Sequence, residues 1–228
     1  AKNLADMGNK VIVACSGQLA SIFKDVEGVS AVVQLDALYG VYHDFWVPAM
    51  SMPYFLRFDL KDIKGTAYIP RPEIPKSKKF RIGLRWSGNP MFEHEQHRVF
   101  PVDPFFEAVK GFDVEFISLQ RDEGSELRPD WVHKVNLASW ENTRLAVASC
   151  DLVISSCTSV SHLSAAMGVE TWVVQPVMPY YTYAIPGEAT PYYDAMKLIR
   201  QETYGDWQNC FDEIKARLSD RFQEAEAA

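Results

Sequence analysis

DLVISSCTSVSHLSAAMG, residues 151–168, decides the fold of this 228-residue chain: an apolar strand, a burst of small hydroxyl residues, then a helix. Leu152 to Ile154 form the short continuous apolar run of a strand buried on both faces, and Ser159 to Met167 carry apolar positions at helical spacing. The first amides of a helix entered this way have no partner within it, and the positive end of its dipole points outward, so an anion is favoured there. Thr158 is positioned to cap the helix, and His162 lies one turn deeper on the same face. A hydroxyl, free amides and an imidazole thus converge on one spot. A capped helix with a satisfied histidine is the plainer reading of the same residues.

Outward from this unit the strand-helix rhythm continues. Upstream, Glu141 to Ala148 reads as a helix, Val132 to Val135 and Val114 to Ser118 as strands, Asp103 to Lys110 as a helix, and Phe80 to Trp86 as a strong strand. The last runs into Ser87-Gly88-Asn89-Pro90, a tight turn in which glycine permits close approach of a ligand. Gln120 follows the Val114 strand at its carboxyl end, where open α/β sheets bind ligands, and an amide there both donates to and accepts from a base edge. MFEHEQHR, residues 91–98, reads as a solvated loop, since a metal site in a loop needs more ligands than His94, Glu95 and His97 supply. Downstream come a strand at Thr171 to Val174, a long aromatic and proline-rich connection, a short strand at Met196 to Arg200, and an amphipathic helix from Asp206 to Arg221 with a frayed Ala/Glu tail. Trp207 and Phe211 are expected to turn that helix back toward the first part of the chain.

That first part opens with the tail of a helix closed by Gly8, then strands at Lys10 to Cys15 and Ala31 to Leu35 around a helix from Gln18 to Asp25. This order implies a further strand and loop before Ala1. Residues 39–58, aromatic and punctuated by prolines, suit one wall of a cleft or, better, a packed loop, with His43 and Asp44 in surface or loop roles rather than catalysis. Residues 69–79, with three prolines and four basic residues, read as the linker between two domains. The expected organisation is a partial N-terminal α/β domain over residues 1–73, a second α/β domain over 80–205, and a C-terminal helix and tail over 206–228.

A net charge of −7 and a pI near 5.3 give no footprint for nucleic acid or an anionic membrane. The absence of an 18-residue apolar run predicts no transmembrane segment, and Cys15, Cys150, Cys157 and Cys210, too scattered for a zinc or disulfide framework, fit a reduced, cytoplasmic compartment.

Three stretches, taken together, resemble glycosyltransferases built from two facing Rossmann-like domains, the GT-B architecture. They are IGLRWSGNP with the downstream HRVFP, FISLQ, and DLVISSCTSVSHLSAAMGVETWVV; DAMKLIRQETYGDW resembles the segment that closes the domain. The nearest likeness is to the ADP-heptose:lipopolysaccharide heptosyltransferase family and to glycosyltransferase-like domains that follow tetratricopeptide repeats. The resemblance implies two α/β domains across a cleft, a nucleotide-diphosphate sugar as donor, no metal or other cofactor, and an unidentified glycan, lipid or protein acceptor. It implies that Thr158, Ser159 and His162 hold the diphosphate, that Trp86, Ser87, Gly88 and Asn89 line the donor site, that Gln120 lies by the base, and that Arg98 and His162 are the catalytic groups. Two departures stand out: Cys157 replaces the family's Asp, and the family's Gly-rich loop with its catalytic carboxylate falls before Ala1.

No Asp-x-Asp occurs in the chain, so charge on the leaving diphosphate falls to the helix N-terminus, Arg98 and His162. Two other classes compete. Cys157 as a nucleophile with His162 as base is disfavoured because residues five apart diverge around a helix. A non-catalytic nucleotide- or protein-binding module on a degenerate glycosyltransferase fold is the main alternative.

Overall fold

The computed structural model describes the whole chain except Lys76, Glu93, Ala227 and Ala228, with backbone alone for residues 223–226. Its centre is a six-stranded, wholly parallel sheet made of β3 (Arg81–Arg85), β4 (Glu115–Ser118), β5 (His133–Lys134), β6 (Leu152–Ser156), β7 (Glu170–Gln175) and β8 (Met196–Arg200), in the order β5-β4-β3-β6-β7-β8. The order reverses between β3 and β6. In a doubly wound sheet that reversal opens a crevice at the carboxyl ends of the strands.

The inner strands β4, β3, β6 and β7 are buried on both faces and are largely apolar runs without alternation, while both residues of the edge strand β5 are exposed. Leu152 and Ile154 point into one core with Ile82, Leu84 and Trp172, while Val153 joins Val173 and Leu198 in the other. Helices α4 (Glu95–Arg98), α5 (Val102–Val109), α6 (Trp140–Ala148), α7 (Ser159–Ala166) and α8 (Gln208–Glu226) connect and cover the strands. Ser139 caps α6 by accepting from the Asn142 amide at 3.1 Å. Gly168, at φ +73°, takes the left-handed conformation that ends α7.

The first part of the chain holds α1 (Lys2–Asp6), α2 (Ala20–Phe23) and α3 (Met52–Phe55), with a separate two-stranded parallel sheet of β1 (Val11–Cys15) and β2 (Val29–Gln34). The helix expected over Gln18 to Asp25 is shorter, a 3-10 turn at Gly17–Leu19 followed by the single turn of α2. Ile22 of α2 is buried in the same core as Val147 and Val160.

Residues 69–79 do not behave as a free linker. Ala166, at the end of α7, has a carbonyl without a helical partner, and the amides of Tyr68 and Ile69 both donate to it, at 2.9 and 3.0 Å. The Arg71 guanidinium closes α6 in the same way, donating to Ala148 and Cys150 carbonyls at 2.8 Å, where a cation complements the helix dipole. Ile69 is 6% exposed. The prolines keep the strap extended, and its Arg71 holds a helix end.

Two further expectations are overturned. The α8 helix does not reach back toward the first part: Trp207 and Phe211 pack on Phe100, each with ring centroids 5.6 Å apart, and Phe211 also meets Phe105 of α5. The aromatic stretch 39–58 is not packed either, since Tyr39, Phe45 and Trp46 are 101%, 93% and 75% exposed. His43 and Asp44 are exposed there as expected.

Candidate functional site

The crevice is built where β3 and β6 end. After β6 the chain turns through Cys157 and Thr158 into α7, whose first-turn amides lack helical partners. Thr158 is the N-cap residue by backbone geometry, but its hydroxyl makes no capping bond; it lies 3.3 Å from Ser155 Oγ instead. The expected side-chain cap is therefore absent; the Ser161 amide donates to the Thr158 carbonyl at 3.1 Å, and the Ser159 and Val160 amides stay available. Ser159 is exposed and Thr158 is buried.

After β3, Gly88 donates its amide to Glu95 Oε1 at 2.9 Å. The Arg98 Nε–H donates to the other oxygen of the same carboxylate, and its NH1 group donates to the Cys157 carbonyl at 2.5 Å. Arg98 also lies over the Phe92 ring, 4.4 Å from its centroid. Gly88, Arg98 and the turn before α7 are thus drawn together across 69 positions of sequence by a carboxylate read as solvated: Glu95 is only 7% exposed. A methyl group at 88 would collide with the Arg98 guanidinium and come within 2.7 Å of Glu95. Asn89 is apart from this cluster, turning the chain by accepting from the Met91 amide at 2.9 Å.

Gln120 is 4% exposed, and its amide is committed. Oε1 accepts from the Trp86 and Ser87 amides at 3.3 and 3.1 Å, while Nε2 donates to Ser87 Oγ and the Glu123 carbonyl, both at 2.7 Å. It staples the end of β4 to the end of β3. Trp86 is fully buried, donating its indole N–H to the Gly124 carbonyl at 2.9 Å.

His162 sits among tyrosines. Tyr193 Oη is 3.0 Å from Nδ1, and the Tyr183 ring stacks on the imidazole with centroids 5.5 Å apart. Burial, with no nearby charge to oppose it, pulls its pKa down to about 4, so it is neutral at physiological pH. Burial also pushes the Cys157 thiol up, against the pull of Arg98, leaving it protonated.

Two cavities lie nearby; of the expected site residues Gln120 borders one and Ser159 the other, while Gly88, Asn89, Arg98, Thr158 and His162 border neither. A crevice of about 580 Å³ at the carboxyl ends of β4 and β5 is bordered by Gln120, Arg121, Ser125, Arg128, Lys134 and Leu137. A smaller one, about 60 Å³, lies against the first turn of α7, bordered by Arg85, Asp122, Thr143, Ser159 and Val160. Arg121 borders both. Arg85, 6% exposed at the end of β3, donates to the Leu119 carbonyl and to Asp122, each at 3.1 Å; burial lowers its pKa, and Asp122 opposes that shift. Sequence reasoning passed over Arg85 because a cation ending an apolar strand carries no local mark of what it meets. Among the described residues no cluster of three or more His, Cys, Asp or Glu side chains is arranged to hold a metal, and no helix is long and apolar enough to cross a membrane.

The parallel order and the crevice at its reversal define a Rossmann-like α/β protein. Compared with protein-family models, with curated proteins and with solved structures, the chain matches none.

Proposed function

We propose that this chain is a metal-independent glycosyltransferase of the two-domain GT-B kind, transferring a sugar from a nucleotide-diphosphate donor to an acceptor that the sequence does not name. The observation that carries the reading is the convergence of Arg98 on the Cys157 carbonyl, which brings a guanidinium, paired with Glu95, to the turn before α7 at the reversal point of the sheet. The larger crevice has room for a base and ribose. Arg121, shared by both cavities, leads from it to Arg85 and Ser159, so a nucleotide laid there runs its phosphates toward α7.

In the reaction the bond between the anomeric carbon and the β-phosphate oxygen breaks, and its electron pair goes to the departing diphosphate. The acceptor oxygen forms the new glycosidic bond and gives up its proton, which the departing diphosphate takes up directly or through water. In this reading the α7 amides, the guanidinium groups and a neutral His162 donor act where that charge develops. Gln120 serves this reading by shaping the crevice rather than by reading the base.

The test is calorimetric titration of the chain with ADP, UDP and GDP, followed by assay of the matching sugar nucleotides for release of diphosphate. Binding of one nucleoside diphosphate with measurable sugar release supports transfer. Binding without release favours the second reading, a non-catalytic nucleotide-binding module. That reading draws on Cys157, a buried protonated thiol that supplies neither base nor charge.

A further inference from the structure

The His162 imidazole meets two tyrosines, Tyr183 and Tyr193, and no charged group shifts it. Tyr193 Oη lies 3.0 Å from Nδ1. Tyr183 Oη lies 3.2 Å from Nδ1 and 3.3 Å from Nε2, so it does not discriminate between the two nitrogens. A neutral imidazole has one donor and one acceptor, and the hydrogen bond made by one nitrogen decides what the other presents.

Tyr193 is itself held. It is 9% exposed, its ring stacks on Tyr68 with centroids 6.5 Å apart, and the next residue, Asp194, donates its amide to the Gly65 carbonyl at 2.7 Å. Tyr68 belongs to the strap whose amides close α7, the helix that carries His162. The strap thus fixes both the helix and the tyrosine that meets its imidazole.

We propose that Tyr193 is a positioning residue for His162: its hydroxyl donates to Nδ1 and so holds the imidazole as the neutral form with the proton on Nε2. Resting on the donor-site reading above, this makes His162 a donor to a phosphate oxygen, where the opposite tautomer would present a lone pair and repel it. Burial keeps the ring neutral across the physiological range, so the tautomer alone decides which it is.

The test is long-range ¹H–¹⁵N correlation on the full ¹⁵N-labelled chain without ligand, followed by titration with inorganic pyrophosphate. The parent should show a bare, hydrogen-bonded Nδ1 and a protonated Nε2, unchanged between pH 6 and 8. Losing one hydrogen bond shifts a two-state balance by about three- to tenfold, so Tyr193→Phe should raise the Nδ1–H form and weaken pyrophosphate binding by that factor. Tyr183→Phe should keep the parental tautomer, because its oxygen favours neither nitrogen. A protonated Nδ1 in the parent overturns the proposal even if Tyr193→Phe fails to fold, as does a tautomer that responds to Tyr183→Phe and not to Tyr193→Phe. If the spectra are as stated but neither pyrophosphate nor any nucleoside diphosphate binds, the positioning stands and the donor-site reading falls.

Discussion

Gly88 and Glu95 are joined by a 2.9 Å hydrogen bond from the glycine amide to a carboxylate that also holds Arg98. The Glu95 and Arg98 side chains are 9% and 15% exposed, so the pair is largely out of water. Removing one partner of such a pair leaves the other charge uncompensated, which typically costs about 3 to 5 kcal/mol. Glu95→Ala should show a loss of that size in urea denaturation. Glu95→Gln, which still accepts from Gly88, should lose roughly half as much.

Gln120 supplies the second prediction. Gln120→Ala strips the acceptor from the Trp86 and Ser87 amides, and unpaired buried donors cost about 1 to 3 kcal/mol each. A drop of about 2 to 3 kcal/mol is expected, with a changed Trp86 environment in near-ultraviolet circular dichroism.

These two cases also mark what the sequence discloses. Met196 to Arg200 is a strand with the predicted bounds, and the other strands of the large sheet fall within one or two residues of expectation, because a run buried on both faces has a local signature. Glu95 carried no such signature. Its burial depends on Arg98 finding a carbonyl 59 residues away, so a polar octapeptide reads as solvent-facing until the sheet brings β6 beside β3. Gln120 was legible as a residue at a ligand-binding edge, but its four partners come from the turn after β3 and the loop after β4. The strap was misread for the opposite reason: prolines and cations suit a linker, and they equally suit an extended segment that caps two helices.

His162 gives a pH signature. Its folded pKa of about 4 lies below the unfolded value near 6.5, so the unfolded chain takes up a proton first as the pH falls. The stability linked to this group is complete above pH 6.5 and is lost between 6.5 and 4, at up to about 1.4 kcal/mol per pH unit. The stability difference between the parent and His162→Gln should therefore move against the parent as pH drops through this window. Parallel stability curves for the two proteins would show that the imidazole is not held neutral.

The cysteines should separate by reactivity. Burial pushes the Cys150 and Cys210 thiols up to about 12 and raises Cys157 and Cys15 as well, but Cys15 alone of the four lies on the partly exposed β1 and is not itself buried. Iodoacetamide at pH 8 should label Cys15 first and reach Cys157 only on unfolding. Fast labelling of Cys157 in the native chain would reopen its reading as a nucleophile.

The central claim is that a diphosphate sits at the first turn of α7, and Ser159→Asp tests it most directly. Ser159 is exposed at the first position of the helix, where an added carboxylate favours the helix dipole by about 0.3 to 1 kcal/mol. The same carboxylate opposes an anionic ligand at that turn. The measurement is calorimetric titration of parent and Ser159→Asp with the nucleoside diphosphate that the parent binds, alongside their thermal unfolding. The account predicts unchanged or higher stability together with a loss of affinity of about tenfold or more. Equal affinity in the two proteins, or no nucleoside diphosphate bound by the parent, would contradict it.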